Sequence, residues 1–203
     1  ELLSAGYSQQ ELLDAGYTKR QLRDAGISVI CFPAGTPVSC DQGVISINNI
    51  NAKRHTIRGK KIVAITRTIT EEKQLVCIKK DAFSKNIPCQ DTITSMNHSF
   101  FYKGKMVKAK DLVNMIDSVR FVEYDGCILY NVLLEKHDKM VVNNLISETL
   151  HPENRIAKIF NYFSQRNFSI DEENELLRYA NKLYADENEL FMSNQKKKRY
   201  LNS

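Results

Sequence analysis

Cysteine and histidine are the residues of this chain that could most readily act as nucleophile and proton carrier near neutral pH. The 203 residues include five cysteines and four histidines, namely Cys31, Cys40, Cys77, Cys89, Cys127, His55, His98, His137 and His151. An odd number of cysteines without paired spacing argues against a disulfide framework. Neither a CxxC nor an HxxxH pair occurs, so we expect no structural zinc site and no other metal.

Cys31 differs from the other cysteines in its position. It follows a repetitive segment directly and opens the run CFPAGTPV, in which Pro33 and Gly35 predict a turn between apolar residues. A nucleophile at such a boundary could attack the carbonyl of the preceding residue, Ile30. These residues alone are equally consistent with a buried linker cysteine, and His98 by itself fits a surface or structural histidine.

Three ten-residue units, ELLSAGYSQQ, ELLDAGYTKR and QLRDAGISVI, make up residues 1–30. Ser8 and Thr18 each stand three residues before Glu or Gln, the spacing of a capping box, and an Ala-Gly pair closes each unit as at a helix C-terminus. Helices of one to two turns are unstable alone. Because the chain opens on Glu1 rather than Met, we expect a fragment of a longer protein whose repeats continue upstream as a spacer or display stalk.

The next 120 residues have a β pattern. Short β-branched runs are separated by turn signals at Asp41-Gln42-Gly43, Lys103-Gly104 and Asp125-Gly126, which predicts an all-β domain at 31–150. The predicted strands are 44–47, 61–69, 74–79, 92–95, 99–102, 119–124, 128–135 and 140–142, with one helix-like break at 108–116.

A helical period follows Pro152. Apolar residues 156, 159, 160 and 163 share one helical face, and Ser169 with Glu172 forms another capping-box pattern before a second apolar stripe. We therefore predict two amphipathic helices in a C-terminal extension at 151–203, packed on the β domain or on each other. The predicted fold is mainly β, with short helical repeats before it and two helices after it.

Composition and charge exclude several classes of protein. With 42% hydrophobic and 26% charged residues the chain is in the globular range, and no apolar run is long enough to cross a membrane, so we expect no membrane partner. The net charge of +5 comes from basic residues in the middle of the chain. They lack the aromatics or recognition motif of a nucleic-acid binder, so we interpret them as solvated; nucleic-acid binding remains only a third hypothesis.

Three motifs resemble those of the Hedgehog/intein, or Hint, domain. The run CFPAGTPVSCDQGVISINNI is similar to the family's opening motif, with Cys31 at its first position. ITSMNHSFFYKGKMVKAKDL resembles the Thr-x-x-His block, with Ser95 at the threonine and His98 at the histidine. LYNVLLEKHDKMVVNNLI is similar to the final strand pair, with His137 at the histidine of that block. Their order over 31–147 identifies the chain as a member of the family and implies a Hint-type fold.

The resemblance implies an autocatalytic, single-turnover cleavage of the chain's own backbone that needs no cofactor. The Cys31 sulfur would attack the Ile30 carbonyl and form a thioester, and His98 would protonate the leaving amide nitrogen. Ser95 would hydrogen-bond this region or orient the imidazole. We expect backbone amides to hold the oxyanion and local strain to raise the energy of the scissile bond. The β-branched Ile30 would slow attack.

The final motif departs from splicing inteins, which end in His-Asn followed by Cys, Ser or Thr. Glu148 and Thr149 stand at these positions, and threonine has no amide nitrogen with which to cyclise. The resemblance therefore implies cleavage without full splicing, and leaves His137 either as an assisting residue or as a loop residue. Arg67 stands where Hedgehog proteins have the aspartate that activates a sterol, so we do not predict sterol transfer.

Beside nucleic-acid binding as the third hypothesis, two functions of a Hint domain remain open on the sequence. In the first, the upstream polypeptide is the substrate and water or another nucleophile is the acceptor. In the second, the chain is a degenerate, inactive Hint fold that serves as a binding or display scaffold. An oxidised Cys31 could not attack, so the unpaired cysteines favour a reducing intracellular compartment.

Overall fold

The computed structural model describes residues 29–70, 72–154, 156–158, 160, 169 and 171–172. Of the predicted N-terminal repeats only Val29 and Ile30 fall within these residues, and most of the predicted C-terminal helices lie outside them. The division of the chain after residues 30 and 150 therefore stays a prediction. In the described part of the chain, no helix is long and apolar enough to span a membrane.

The described residues form a mainly β structure, as predicted. Its elements are β1 (Phe32–Pro33), β2 (Pro37–Cys40), β3 (Gly43–Ser46), a 3₁₀ turn (Ile47–Asn49), β4 (Thr56–Ile57), β5 (Lys60–Thr68), β6 (Gln74–Ile78), β7 (Thr92–Thr94), β8 (Ser99–Tyr102), β9 (Lys105–Lys108), α1 (Ala109–Leu112), β10 (Val119–Glu123), β11 (Leu129–Leu134), β12 (Lys139–Val142) and β13 (Leu145–Glu148). The predicted helix-like break at 108–116 is shorter than expected, since α1 ends at Leu112.

These strands form three antiparallel sheets. One has the strand order β1-β11-β5-β4, the second β10-β6-β7 and the third β3-β2-β12-β13-β8-β9. The short strand β1 pairs with β11 through Phe32 opposite Tyr130 and Pro33 opposite Leu129. The residue just before β1 is therefore fixed against a strand that lies about a hundred positions later in the chain.

Two hairpin turns show how local sequence sets the strand register. Lys103 and Gly104 have φ angles of 46° and 85°, and Asn143 and Asn144 have φ angles of 52° and 67°. Positive φ at both central residues is the signature of the tight turns that match strand twist. Asn143 and Asn144 thus serve as the turn between β12 and β13.

A large apolar cluster forms the main core. Its members include Phe32, Ile57, Phe100, Leu134 and Met140, each at most 1% exposed. Burying a side chain of this size stabilises a fold by about 1.5–3 kcal/mol. Because Phe32 belongs to this cluster, the core itself fixes the position of its neighbour Cys31.

A few described residues of the C-terminal extension pack on the β domain, while the two predicted C-terminal helices stay a prediction. Residues 156–158 and 160 are helical, and Ile156, Ala157 and Phe160 are buried together with Leu133 and Leu150. Farther along, Ser169 and Glu172 make the reciprocal hydrogen bonds of the predicted capping box.

Candidate active site at the Ile30–Cys31 bond

The peptide bond between Ile30 and Cys31 is buried. Ile30 is 7% exposed and Cys31 is fully buried. The Cys31 amide N–H donates to Ser95 Oγ at 2.8 Å, and the Ile30 carbonyl oxygen accepts a hydrogen bond from Asn131 Nδ2. Ser95, which follows β7, and Asn131, which lies in β11, therefore bind the two polar groups of this one peptide unit.

Ser95 is held against Cys31 from two sides. Its backbone N–H donates to the Cys31 carbonyl at 3.0 Å, and the hydroxyl of the preceding residue, Thr94, donates to the same carbonyl at 3.2 Å. Ser95 lies just after β7 and is buried. The hydroxyl that the sequence placed at the family's threonine position is thus directed at the scissile amide nitrogen.

His98 is placed by a turn and by the start of α1. Its N–H donates to the Ser95 carbonyl at 3.2 Å, while its own carbonyl accepts from Ala109 N at 2.8 Å. The first amides of a helix have no partner within the helix, so α1 supplies a donor that secures this loop. The His98 ring packs 4.2 Å from the Phe32 ring and 5.6 Å from the Phe100 ring, centroid to centroid.

The contacts of the His98 ring define its neutral form. Nε2 lies 3.0 Å from the Glu148 carbonyl oxygen, which can only accept, so Nε2 carries the hydrogen. Nδ1 is buried and has no hydrogen-bond partner among the described residues. In the neutral ring Nδ1 is therefore an unprotonated base in a site closed to solvent.

Burial lowers the pKa of His98 below its ordinary value of 6.5. The Glu148 carboxylate, the Glu148 carbonyl and the nearby backbone of Cys31 act in the opposite direction but do not outweigh burial. The ring is consequently neutral at pH 7, able to take a proton and then give it up.

Burial also raises the pKa of the Cys31 thiol, and the charge of Glu72 adds to the shift. A hydrogen bond with the Ile30 backbone works against both. The thiol is therefore protonated at neutral pH and needs a base before its sulfur can attack.

Asn131 is the site residue that the sequence did not predict. It is fully buried in β11, and its Oδ1 accepts the Val132 N–H at 2.7 Å, which turns Nδ2 towards the Ile30 carbonyl. From the sequence we expect backbone amides at the oxyanion, whereas the donor to the Ile30 carbonyl is a side-chain amide. The available signal was one asparagine inside the apolar run LYNVLL, where a buried polar group must have a partner.

The expected strain at the scissile bond is not visible in the backbone angles. Among the described residues, positive φ at non-glycine positions occurs only at Arg58, Asp81, Asn86, Lys103, Asn143 and Asn144, and Ile30–Cys31 is not a cis bond. The arrangement depends on hydrogen bonding and burial rather than on an unusual backbone conformation.

His137 lies beside Glu148, whose backbone carbonyl contacts the His98 ring. Nε2 of His137 is 3.4 Å from Glu148 Oε2 and its ring centroid is 5.1 Å from that of His151. Burial raises the pKa of Glu148, but hydrogen bonds with His137 and Ser99 and the charge of His98 outweigh it, so this pKa lies below its usual value. His137 thus influences His98 through its contact with Glu148 and, weakly, through its charge.

Thr149 is bound to the backbone of Asp138 through its own backbone and its hydroxyl. Its N–H donates to the Asp138 carbonyl at 2.8 Å, its Oγ1 accepts from Asp138 N at 3.0 Å, and Oγ1 lies 3.1 Å from the same carbonyl. Thr149 is fully buried.

Across the described ranges, no group of three or more His, Cys, Asp or Glu side chains could hold a metal ion.

The profile of the Hint domain matches residues 30–154, more than half of the chain. The chain therefore belongs to the Hint domain family. This membership supports a general capacity for self-processing, in which the polypeptide itself is the substrate. No curated protein matches the chain.

Solved structures that are similar to the chain include an intein-like domain and two inteins. The intein-like domain from Clostridium thermocellum has 17% identity and a TM-score of 0.48, covering 60% of this chain and 100% of that one. The DnaB intein from Synechocystis sp. PCC 6803 has 10% identity and a TM-score of 0.42, covering 60% and 99%. The AceL NrdHF class 3 split intein has 14% identity and a TM-score of 0.38, covering 59% and 96%.

Proposed function

We propose that the chain cleaves its own backbone between Ile30 and Cys31 through a thioester, without splicing. The observation that supports this most directly is the pair of hydrogen bonds at that peptide unit, from Cys31 N to Ser95 Oγ and from Asn131 Nδ2 to the Ile30 carbonyl. The carbon to be attacked and the nitrogen to be released are thus both held by groups suited to the reaction.

In the first step the Cys31 sulfur attacks the Ile30 carbonyl carbon. Nδ1 of neutral His98 takes the thiol proton, the sulfur–carbon bond forms, and the carbonyl oxygen becomes an oxyanion. The carbon–nitrogen bond then breaks while His98 returns the proton to the leaving nitrogen. The products are a thioester on Cys31 and its free α-amino group, with no net change in protons before that amine equilibrates with water.

Asn131 stabilises the charge that develops on the oxygen. Its amide N–H already points at the Ile30 carbonyl and is held there by the bond between Oδ1 and Val132 N. A donor fixed before the reaction needs no reorganisation as charge builds up. Ser95 meanwhile keeps the nitrogen in register with the imidazole.

Water resolves the thioester in the second step. Its oxygen bonds to the Ile30 carbonyl carbon, the carbon–sulfur bond breaks, one proton of water goes to the Cys31 sulfur, and the other is released to solvent as the carboxylate forms. The products are residues 1–30 with a C-terminal carboxylate and a chain that begins with Cys31. Another nucleophile, such as an added thiol, would take the place of water and carry residues 1–30 away.

The C-terminal end supports cleavage without splicing. Thr149 has a hydroxyl where cyclisation would need an amide nitrogen, and the hydroxyl is already bonded to the Asp138 backbone. Glu148 occupies the position of the histidine that precedes the cyclising asparagine.

A second candidate function is an inactive scaffold with the Hint fold. The complete burial of Cys31 and the raised pKa of its thiol favour it, because both oppose attack and limit the access of water. This hypothesis predicts an intact chain under all conditions.

Intact mass spectrometry distinguishes the two functions. The wild-type chain is incubated at neutral pH with and without dithiothreitol, beside Cys31→Ala and Cys77→Ala. Cys77 is a buried cysteine on β6 and serves as the matched control. We expect the wild type and Cys77→Ala to yield residues 1–30 and 31–203, faster with thiol, and Cys31→Ala to stay intact. A folded wild type that remains intact would contradict the proposal and favour the scaffold.

A further inference from the structure

The side chain of Ile30 lies in a small apolar cluster of its own. This cluster, here called the Ile30 cluster, consists of Ile30, Leu133, Leu150, Ile156, Ala157 and Phe160, each at most 9% exposed. It is separate from the main core. The residue whose carbonyl would be attacked is thus enclosed on its side-chain side as well.

The β domain supplies one part of the Ile30 cluster. Leu133 lies in β11 two residues after Asn131, and alternate residues of a strand face the same side. Leu150 follows β13; its N–H donates to the Val132 carbonyl at 2.9 Å, and it bridges to Leu133. One side of β11 therefore carries both the donor to the Ile30 carbonyl and a wall for the Ile30 side chain.

The C-terminal extension supplies the other part. Residues 156, 157 and 160 are spaced so that they share one face of a helix. Asn154 begins this helical segment, since its Oδ1 accepts the Ile156 N–H at 2.9 Å, and Lys158 pairs with Glu153 at 2.9 Å on the solvent side.

We propose that the Ile30 cluster is a subsite for an apolar side chain before the scissile bond, completed by the C-terminal extension. The inference rests on the proposed function and assigns a role in it to Ile156, Ala157 and Phe160. Packing of the Ile30 side chain in this cluster holds the Ile30 carbonyl between Cys31 and Asn131, because the side chain and the carbonyl oxygen branch from neighbouring atoms. A displacement of about 1 Å can lower the rate by up to about 100-fold.

A double-mutant cycle on the cleavage rate tests this inference in the full chain. The rate is measured by intact mass for the wild type, Phe160→Ala, Ile30→Ala and the double variant, at a temperature where circular dichroism shows all four folded. We expect Phe160→Ala to slow cleavage about tenfold when residue 30 is isoleucine, and less than about twofold in the Ile30→Ala background. Ile30→Ala alone also removes β-branching at the carbonyl, and the cycle separates that effect.

Two further variants keep the test independent of folding. Phe160→Leu retains apolar volume and should cleave within about threefold of the wild type. Leu112→Ala opens a comparable cavity in the main core and should lower the melting temperature without coupling to residue 30. If Phe160→Ala does not fold, Ile156→Ala takes its place in the cycle.

The outcomes separate this inference from the proposed function. An intact wild-type chain overturns both. A cleaving wild type in which Phe160→Ala and Ile30→Ala act additively, or in which Phe160→Ala changes only the melting temperature, overturns the subsite alone. Coupling between residues 30 and 160, absent for residue 112, supports it.

Discussion

The two ends of the domain use similar residue types in different ways. At the first end, Ser95 and Asn131 direct a hydroxyl and an amide at the polar groups of the Ile30–Cys31 bond. At the second end, the hydroxyl of Thr149 is bonded to the backbone of Asp138. Polar side chains at the first end contact the proposed scissile bond, whereas among the described residues the Thr149 hydroxyl hydrogen-bonds only to the backbone of Asp138. Under the proposed function, the fold therefore holds the groups for one cleavage reaction at Ile30–Cys31, while Thr149 makes structural contacts.

The two histidines repeat this contrast. His98 is fully buried between aromatic rings, with Nδ1 left unpaired among the described residues, whereas the side chain of His137 is 39% exposed beside Glu148. A buried, neutral imidazole next to the reacting atoms can move a proton. An exposed one that is joined to them only through Glu148 cannot do so directly.

Substitution of the histidines gives the largest expected difference between the two ends. His98→Ala should slow cleavage by about 10²–10⁴-fold, the usual contribution of general acid–base catalysis. His137→Ala should change it less than about threefold. Rates from intact mass at pH 7 with dithiothreitol check this. Equal losses in both variants would contradict the distinction between a reacting end and a structural end.

Asn131 offers the second test at the reacting end. Asn131→Ala removes a fixed donor to the developing oxyanion and should slow cleavage about 10²–10³-fold. Thr66→Val is the matched control: Thr66 is equally buried and its Oγ1 lies 3.3 Å from the backbone carbonyl of Asn131, but it does not contact the scissile bond. A rate unchanged in Asn131→Ala would show that its contact with Ile30 only serves folding.

The sequence predicted the longer strands well because their signals are local. β8 occupies the predicted 99–102, and β5 and β11 differ from their predictions by one residue at each end. The strands that were missed include β1, β4 and β13. β1 and β4 have only two residues each, and β1 exists through its pairing with β11 across the chain. No periodicity over two residues could reveal that contact.

The candidate site was predicted in part for a similar reason. The motifs indicated Cys31, Ser95 and His98, and the structure brings all three together around one peptide bond. Asn131 was missed because its partner lies 101 positions earlier. For Ile30 the sequence indicates only steric crowding, since the apolar cluster around its side chain depends on tertiary packing.

The pH dependence of the rate sharpens the contrast further. Cleavage needs neutral His98, and burial holds its pKa below 6.5, so the rate should stay near its neutral value until the pH falls below 6.5 and then decrease as His98 is protonated. Glu148, His137 and the Cys31 thiol are the titratable groups around it. The charge of His137 is the smallest of the causes that lower the His98 pKa, so His137→Ala should keep the decline and move it only slightly to higher pH, measured by intact mass between pH 5 and 8. If His137→Ala abolished the decline in rate at low pH, the decline would depend on His137 rather than on His98 alone.

The same burial of His98 makes stability pH-dependent. The unfolded chain binds a proton at His98 near pH 6.5, whereas the folded chain binds it only at lower pH. The contribution of neutral, buried His98 to the free energy of unfolding is therefore present above pH 6.5. It is lost as the pH falls, by up to about 1.4 kcal/mol per pH unit. Urea unfolding of Cys31→Ala at pH 7 and pH 5.5 measures this loss. It should shrink when His98→Gln is added, and an unchanged loss would contradict the assignment to His98.

Thr149 provides the smallest expected effect on rate. Thr149→Val keeps the shape of the side chain but leaves Asp138 N without its acceptor, so the free energy of unfolding should fall by about 1–3 kcal/mol while cleavage at Ile30–Cys31 stays within about twofold. Thr149→Asn restores a side-chain amide, yet we expect no cleavage after residue 149, because Glu148 precedes it in place of histidine. Urea unfolding and intact mass check both variants. A new fragment ending at residue 149 would contradict this expectation. It would show that cleavage after residue 149 requires only a side-chain amide at that position.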